Sequence, residues 1–382
     1  MSFICIKNGD VYAPEHLGKK DILICNDRII DISDSIDIGS FPYEVEIFDA
    51  EGNKVIPGLI DQHVHLTGGG GEKGFTSRVP EIKLSHITES GVTTVVGLLG
   101  TDSYTRDVET LLAKTKALNE EGITAYCLTG AYSIPSVTIT GEVGKDITFI
   151  DEIIGVKVAI SDHRCSNPTT EELIKLASET RLASLVSGKV GEVHMHTGSG
   201  KKGIGQIFEI LENSDLPVKH FRPTHMRKSD EKNVVKLTSL GGYADYSSTE
   251  NGADLKAQDI IDAIAAGADR EHITISSDSN GSLPKWNEKR ELIGITYAKM
   301  TSLFGQVKAL VAKGMNFEDA LPFITTNVAK ALEIDDRKGS LKADKDADVV
   351  ILDREMNVDR VFAKGKLMVS GGKAVIKGFF EE

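Results

Sequence analysis

The chain has 382 residues, of which 40% are hydrophobic and 26% are charged. These values are typical of a folded globular protein and exclude a disordered chain. The formal net charge is −13, with acidic and basic residues interspersed, so we expect no nucleic-acid partner. At the amino terminus, charged residues follow a very short apolar run, which predicts no signal peptide, no membrane span and a cytoplasmic location.

Short apolar runs separated by turns occur at both ends of the chain. They cover residues 3–6, 21–25, 28–32, 348–352 and 360–363. Such runs are typical of strands, and neither end has enough apolar residues for a core of its own. We therefore predict one discontinuous β-sandwich domain formed by residues 1–57 and 339–382.

Eight apolar runs alternate with segments of helical periodicity in the middle of the chain. The runs cover residues 55–60, 93–98, 125–128, 155–160, 192–196, 222–225, 243–246 and 273–278. This alternation predicts an α/β fold, a (β/α)8 TIM barrel over residues 58–338. An open doubly wound sheet fits almost as well, but the glycines at 68–71 lack the setting of a phosphate-binding turn.

Two histidines, His63 and His65, follow the first apolar run. Alternate residues of a strand point to the same side, so both imidazoles can reach one ion. Imidazole nitrogen is a preferred ligand of zinc, and bound zinc acidifies water for hydrolysis. The pair therefore predicts a metal site at the mouth of the barrel.

Further polar residues lie within or at the ends of later runs, where barrel strands converge on one face. They are Lys157, His196, His225 and Asp278. A buried ammonium costs several kcal/mol unless it is neutralised or paired. Lys157 is therefore interpreted either as an ordinary lysine whose amino group reaches solvent at the rim, or as a carbamylated lysine that bridges two cations.

Six motifs follow one another along nearly the whole chain: DQHVHLTGGGGE, GLLGTD, LTGAY, GVKVAISDHR, RPTHM and SSDSNGS. Their order and spacing resemble the β-aspartyl (isoaspartyl) dipeptidases of the amidohydrolase superfamily, and GGGGE, GVKVAISDHR and SSDSNGS are the most specific of them. The resemblance implies a metallopeptidase that hydrolyses β-aspartyl dipeptides. It also implies a homo-oligomer, for which an octamer is one option.

The resemblance further implies two Zn²⁺ ions per subunit and a carboxylated Lys157 that bridges them. His63 and His65 would hold the more buried ion, and His196 and His225 the other, with Asp278 contacting a metal. A hydroxide between the ions would attack the side-chain amide carbonyl of the substrate. Asp278 would move its proton to the leaving amine, and Tyr132 would steady the carbonyl oxygen.

The same resemblance implies the residues that contact the substrate. Glu72 would hold the amino group, Thr101 and Ser282 the aspartyl carboxylate, and Arg164 the terminal carboxylate. Where the family has a second arginine, this chain has Lys228, so either Lys228 or the neighbouring Arg227 would take that role.

The choice of the metal ligand in the fifth apolar run rests on spacing. The fifth run contains two histidines, His194 and His196, and His196 is chosen as the ligand because its spacing matches that of the resembled family.

A cyclic amidohydrolase of the dihydroorotase or hydantoinase kind is the alternative enzyme, although GGGGE, Tyr132 and Arg164 favour a dipeptide substrate. A non-catalytic scaffold is the second alternative, which the complete set of ligand positions disfavours.

Overall fold

The computed structural model of the chain describes residues 2–286 and 292–382. The amino-terminal segment forms five strands before the alternating part of the chain begins. They are β1 (Phe3–Tyr12), β2 (His16–Cys25), β3 (Arg28–Ser33), β4 (Val45–Asp49) and β5 (Lys54–Pro57).

Strands and helices then alternate, with eight strands and seven α-helices. They are β6 (Leu59–Val64), α1 (Leu84–Thr88), β7 (Val92–Gly97), α2 (Val108–Glu121), β8 (Thr124–Gly130), α3 (Val143–Phe149), β9 (Ile153–Ile160), α4 (Thr170–Ser187), β10 (Glu192–Thr197), α5 (Gly205–Asn213), β11 (Phe221–Thr224), α6 (Glu231–Ser239), β12 (Ala244–Ser247), α7 (Ala253–Ala265) and β13 (Ile273–Ser276). Each of the eight apolar runs in the middle of the sequence thus contributes to a strand, as predicted.

The remaining elements return the chain to the terminal strands. They are β14 (Ser282–Trp286), β15 (Leu292–Tyr297), α8 (Ser302–Ala312), α9 (Phe317–Ala320), α10 (Thr326–Ala331), β16 (Val349–Leu352), β17 (Val358–Ala363), β18 (Lys366–Ser370) and β19 (Lys373–Ala374). Strands β14 and β15 form an antiparallel pair.

The two ends of the chain meet in one nine-stranded sheet. Its strand order is β19-β18-β17-β16-β5-β1-β2-β3, and β4 pairs with β1. The two ends are joined where β16 pairs antiparallel with β5, with Val349 opposite Pro57. Fully buried side chains from both ends, including Ile6, Ile22 and Phe362, share one core. This shared sheet is consistent with one domain built from both ends of the chain. The β-sandwich arrangement and the domain boundaries stay predictions.

The central strands form a curled parallel sheet. Strands β6 to β11 pair side by side in chain order, and β12 and β13 form a separate parallel pair. A parallel bridge joins Val64 at the end of β6 to Ser279 beyond β13. Strands β6, β7, β9 and β10 are buried throughout, as expected for parallel strands covered on both faces. The α/β class is confirmed, and closure into an eight-stranded barrel stays a prediction.

The first predicted run, residues 55–60, is divided at Gly58 between two sheets. Residues before Gly58 belong to β5 in the terminal sheet, and those after it begin β6 in the parallel sheet. A Cβ atom at Gly58 would lie 2.2 Å from Oγ1 of Thr93. Only glycine allows this close approach. Because the approach depends on a residue of another strand, the apolar run alone could not show that the chain crosses from one sheet to the other at Gly58.

Helix α4 begins and ends with strong local signals. Thr169 accepts a hydrogen bond from the backbone of Glu172, and the Glu172 carboxylate bonds back to Thr169 in a capping box. The helix ends at Gly188, which has a left-handed backbone. No helix in the described ranges has both the length and the apolarity that crossing a membrane requires.

Candidate active site

A cavity of about 640 Å³ opens at the carboxyl ends of the parallel strands. Ten of the side chains singled out in the sequence line it: His65, Glu72, Thr101, Tyr132, Arg164, His196, His225, Arg227, Asp278 and Ser282. Parallel strands present their carboxyl ends at one face, which is why residues distant in sequence meet there.

The imidazoles of His63 and His65 converge on one carboxylate. Nε2 of each ring lies 3.2 Å from Oδ1 of Asp278. Burial alone would raise the pKa of Asp278, but its contacts with the imidazoles of His63 and His65 hold that pKa well below its usual range. The carboxylate therefore stays ionised and available to a cation.

His63, His225 and Asp278 could together hold a metal ion, since their ligand atoms lie within 4.8 Å of one another. Burial holds the pKa values of both histidines well below the ordinary value, so both rings are neutral. His225 and Asp278 also have left-handed backbones, with φ of 66° and 54°. Such conformations are uncommon outside glycine and cluster at functional sites.

The predicted ligands His65 and Lys157 also fit a cation. Nδ1 of His65 is buried and has no hydrogen-bond partner within the described residues. Lys157 is fully buried in β9, with Nζ 3.4 Å from Nε2 of His63. Burial lowers the pKa of Lys157 to about 7. The amino group therefore does not reach solvent at the rim, and a substantial fraction of it is neutral near pH 7.

His196 lies at the cavity, but both of its ring nitrogens have protein partners. Nε2 is 2.8 Å from Oδ2 of Asp162, and Nδ1 is 2.8 Å from the hydroxyl of Tyr132. Burial raises the pKa of Tyr132 well above its usual value, so the phenol keeps its proton. To bind a metal, His196 would have to exchange one of these partners.

Asp162 is a site residue that the sequence reasoning missed. Its carboxylate accepts two hydrogen bonds from the Arg164 side chain, at 2.8 and 3.0 Å, besides the contact with His196. Burial opposes ionisation, but the bonds from Arg164 and His196 outweigh it and hold the pKa of Asp162 well below its usual range. Its position two residues before Arg164 was the available signal.

The carboxylate of Glu72 contacts three of the other predicted substrate-binding residues. Its Oε1 atom lies 2.6 Å from Oγ of Ser282, 3.3 Å from Oγ1 of Thr101 and 3.4 Å from Nη1 of Arg164. A carboxylate beside a guanidinium and two hydroxyls offers both charge signs to a zwitterionic ligand. This grouping of one anion with several donors is what an amino-acid substrate needs.

The structure distinguishes between Arg227 and Lys228. Arg227 lines the cavity and donates to the carbonyl of Gly198 at 2.7 Å. Lys228 points elsewhere, since its Nζ bonds to Asp262 at 2.9 Å and to Glu231, and its side chain is 54% exposed. Of these two neighbouring cations, Arg227 is thus the one whose side chain can reach a ligand in the cavity.

The sequence profile of the Amidohydrolase family matches residues 54–368. A dihydroorotase from Listeria monocytogenes serotype 4a is 30% identical over 263 residues, and that match covers 62% of this chain and 57% of that protein. This chain thus spans less than two thirds of that relative. A dihydroorotase from Clostridium acetobutylicum is 25% identical, with 92% of this chain and 89% of that protein covered.

Solved structures give a closer likeness. A β-aspartyl dipeptidase from Fervidobacterium islandicum AW-1, in complex with β-Asp-Leu, is 38% identical with a TM-score of 0.91 and 97% of each chain covered. A D-hydantoinase is 18% identical with a TM-score of 0.67, covering 100% of this chain and 98% of that one. The second likeness shows a shared fold alone.

Proposed function

Because this chain belongs to the amidohydrolase family and is a hydrolase of that family, we propose that it is a binuclear zinc dipeptidase that cleaves β-aspartyl dipeptides. One observation carries the proposal: the structure resembles a β-aspartyl dipeptidase bound to β-Asp-Leu over 97% of both chains. The meeting of Glu72, Arg164 and Ser282 in the cavity supports it independently.

The metal-binding part of the proposal uses the six predicted ligands. They are His63, His65, Lys157, His196, His225 and Asp278. When bound, two divalent ions acidify water and polarise a carbonyl group. The buried, partly neutral amine of Lys157 supports its carboxylation: Nζ forms a bond to the carbon of CO₂ and releases one proton. The resulting carbamate supplies the negative charge that a pair of cations needs.

The protein residues then have distinct tasks. Asp278 accepts a proton from the attacking water and passes it to the departing amine, which leaves poorly without protonation. The phenol of Tyr132, which keeps its proton because burial raises its pKa, donates to the oxyanion that forms on the scissile carbonyl.

Substrate recognition follows from the charges around the cavity. Glu72 binds the free amino group, while Thr101 and Ser282 donate hydrogen bonds to the aspartyl carboxylate. Arg164 and Arg227 bind the terminal carboxylate, because guanidinium groups pair with carboxylates in a forked geometry. Lys228 is left outside this set by its pairing with Asp262 and Glu231.

A cyclic amidohydrolase is the second candidate function. The Clostridium acetobutylicum dihydroorotase, 25% identical over 92% of this chain, favours it. A cyclic amide has no free amino group, however, so the carboxylate of Glu72 would have no cationic partner in such a substrate. The non-catalytic scaffold has no comparable support.

The architecture and assembly complete the proposal. We propose that the parallel strands close into a (β/α)8 barrel over residues 58–338, beside a β-sandwich of residues 1–57 and 339–382. The bridge between Val64 and Ser279 supports the closure. Light scattering tests the proposed homo-oligomer, and cell fractionation tests the proposed cytoplasmic location.

Metal analysis combined with a crystal structure tests the proposed centre. We expect about two zinc ions per chain, an anomalous signal beside His63 and His225, and extra density on Nζ of Lys157. About one ion per chain or fewer after reconstitution with zinc and bicarbonate, or an unmodified Lys157, would contradict the binuclear proposal.

A further inference from the structure

A chain of buried polar side chains leads from His63 away from the cavity. Nδ1 of His63 lies 2.9 Å from Nε2 of His194, and Nδ1 of His194 lies 3.0 Å from Oε1 of Glu192. The other carboxylate oxygen of Glu192 lies 3.4 Å from Nε of Arg222. None of the four side chains is more than 1% exposed, so water cannot replace any member of the chain.

The local structure explains why these groups meet. Glu192 and His194 are two residues apart in β10, so they point to the same side of the sheet. His194 is paired in register with Lys157 of β9, which brings it beside His63. The packing therefore holds the imidazole of His194 between a ring of the candidate metal site and a carboxylate.

The hydrogen-bonding capacities of these groups fix the positions of the protons. Burial raises the pKa of Glu192, but the Arg222 guanidinium beside its other oxygen opposes this rise and favours the ionised form. An ionised carboxylate only accepts hydrogen bonds. Nδ1 of His194 must therefore carry the proton, which leaves its Nε2 as an acceptor. Nδ1 of His63 must then donate to that acceptor across the 2.9 Å gap. The lone pair of its Nε2 is left facing Asp278, 3.2 Å away, where a cation could lie between them.

We propose that His194, oriented by Glu192, is a positioning residue that sets the tautomer of His63 and presents its Nε2 atom to a metal ion. This inference rests on the proposed function in so far as the ligand is a metal. A histidine whose distal nitrogen is held in this way is a better ligand, and the loss of such a partner weakens metal binding about 10- to 100-fold.

Zinc affinity measured by chelator competition tests the proposal. His194→Leu removes the acceptor for His63 and is expected to weaken binding about 10- to 100-fold. His194→Gln provides an amide oxygen in its place and is expected to recover part of that loss. The matched control is His220→Leu, because His220 is also buried but bonds to Gly191 and Arg181 instead. Equal affinity in His194→Leu and His220→Leu would overturn the proposal.

Nitrogen NMR of the metal-free protein supplies a readout that needs no variant and no activity. Long-range ¹H–¹⁵N correlations are expected to show the proton on Nδ1 of both His63 and His194. A proton on Nε2 of His63 would overturn the inference. If the wild-type protein binds no zinc, the proposed function fails, whereas the NMR result still decides the tautomer.

Discussion

The amino group of Lys157 lies 3.4 Å from Nε2 of His63, and neither side chain is more than 1% exposed. Two basic groups this close are unfavourable as a pair of cations, and burial lowers the pKa of each. The arrangement is therefore unfavourable as a pair of cations and suited to a pair of neutral metal-binding or CO₂-binding groups.

Carboxylation of Lys157 should depend on pH near neutrality. Its pKa is about 7, so the neutral fraction rises from roughly a tenth at pH 6 to roughly nine tenths at pH 8. At equal dissolved CO₂, we expect the metal-free enzyme to take up CO₂ at Lys157 about ten times faster at pH 8 than at pH 6. Carbon-13 NMR with labelled bicarbonate measures the rate, and Lys157→Met should give no signal. A rate that does not change over this range would contradict the assignment.

The stability of the metal-free, uncarboxylated protein should also depend on pH. The pKa of Lys157 is about 7 in the folded protein and roughly 10.4 in the unfolded chain, so the unfolded state holds more protons between these values. Stability then rises with pH. Relative to Lys157→Met, we expect the wild-type free energy of unfolding to increase by about 2 kcal/mol from pH 7 to pH 9.

Denaturant unfolding in CO₂-free buffer with a chelator measures this difference. The Met variant serves as the reference because it removes only the titrating group from the buried site. If the two proteins have parallel stability profiles, Lys157 keeps an ordinary pKa and its amine stays protonated near pH 7, which would contradict its carboxylation.

Glu72→Gln tests recognition of the substrate amino group. Loss of the carboxylate removes a charge-assisted hydrogen bond, so we expect KM for β-Asp-Leu to rise roughly 10- to 100-fold with a smaller change in kcat. The control is the N-acetylated dipeptide, which lacks the positive charge and should not distinguish the variant from wild type. An unchanged KM for β-Asp-Leu would show that Glu72 does not bind the amino group.

Arg227 and Lys228 form a matched pair of neighbouring cations. Arg227 lines the cavity, whereas Lys228 pairs with Asp262 and Glu231 outside it. We expect Arg227→Ala to raise KM roughly 10- to 100-fold through loss of a charged hydrogen bond. Lys228→Ala should leave kcat/KM within about twofold, because exposed ion pairs contribute little. The reverse ranking in steady-state assays would assign the carboxylate to Lys228.

Much of the fold could be predicted because strand periodicity and burial are local properties of the sequence. The eight central strands and the contribution of both termini to one sheet follow from apolar runs. The break at Gly58 could not be predicted, because it depends on the close approach of Thr93 from another strand.

The candidate site could be predicted in its members but less well in its contacts. His63, His65 and Asp278 lie at or just beyond the ends of strands, which the apolar runs indicate, and their side chains meet. The partners of His196 and the outward direction of Lys228 depend on tertiary packing. No spacing rule reveals which neighbour a side chain will find.

Substrate preference of the zinc-reconstituted enzyme tests the central claim most directly. We expect kcat/KM for β-Asp-Leu to exceed that for dihydroorotate by about 1,000-fold or more, because a cyclic amide has no ammonium group for Glu72 to bind. Comparable turnover of the two substrates, or faster opening of the cyclic amide, would contradict the assignment of this chain as a β-aspartyl dipeptidase.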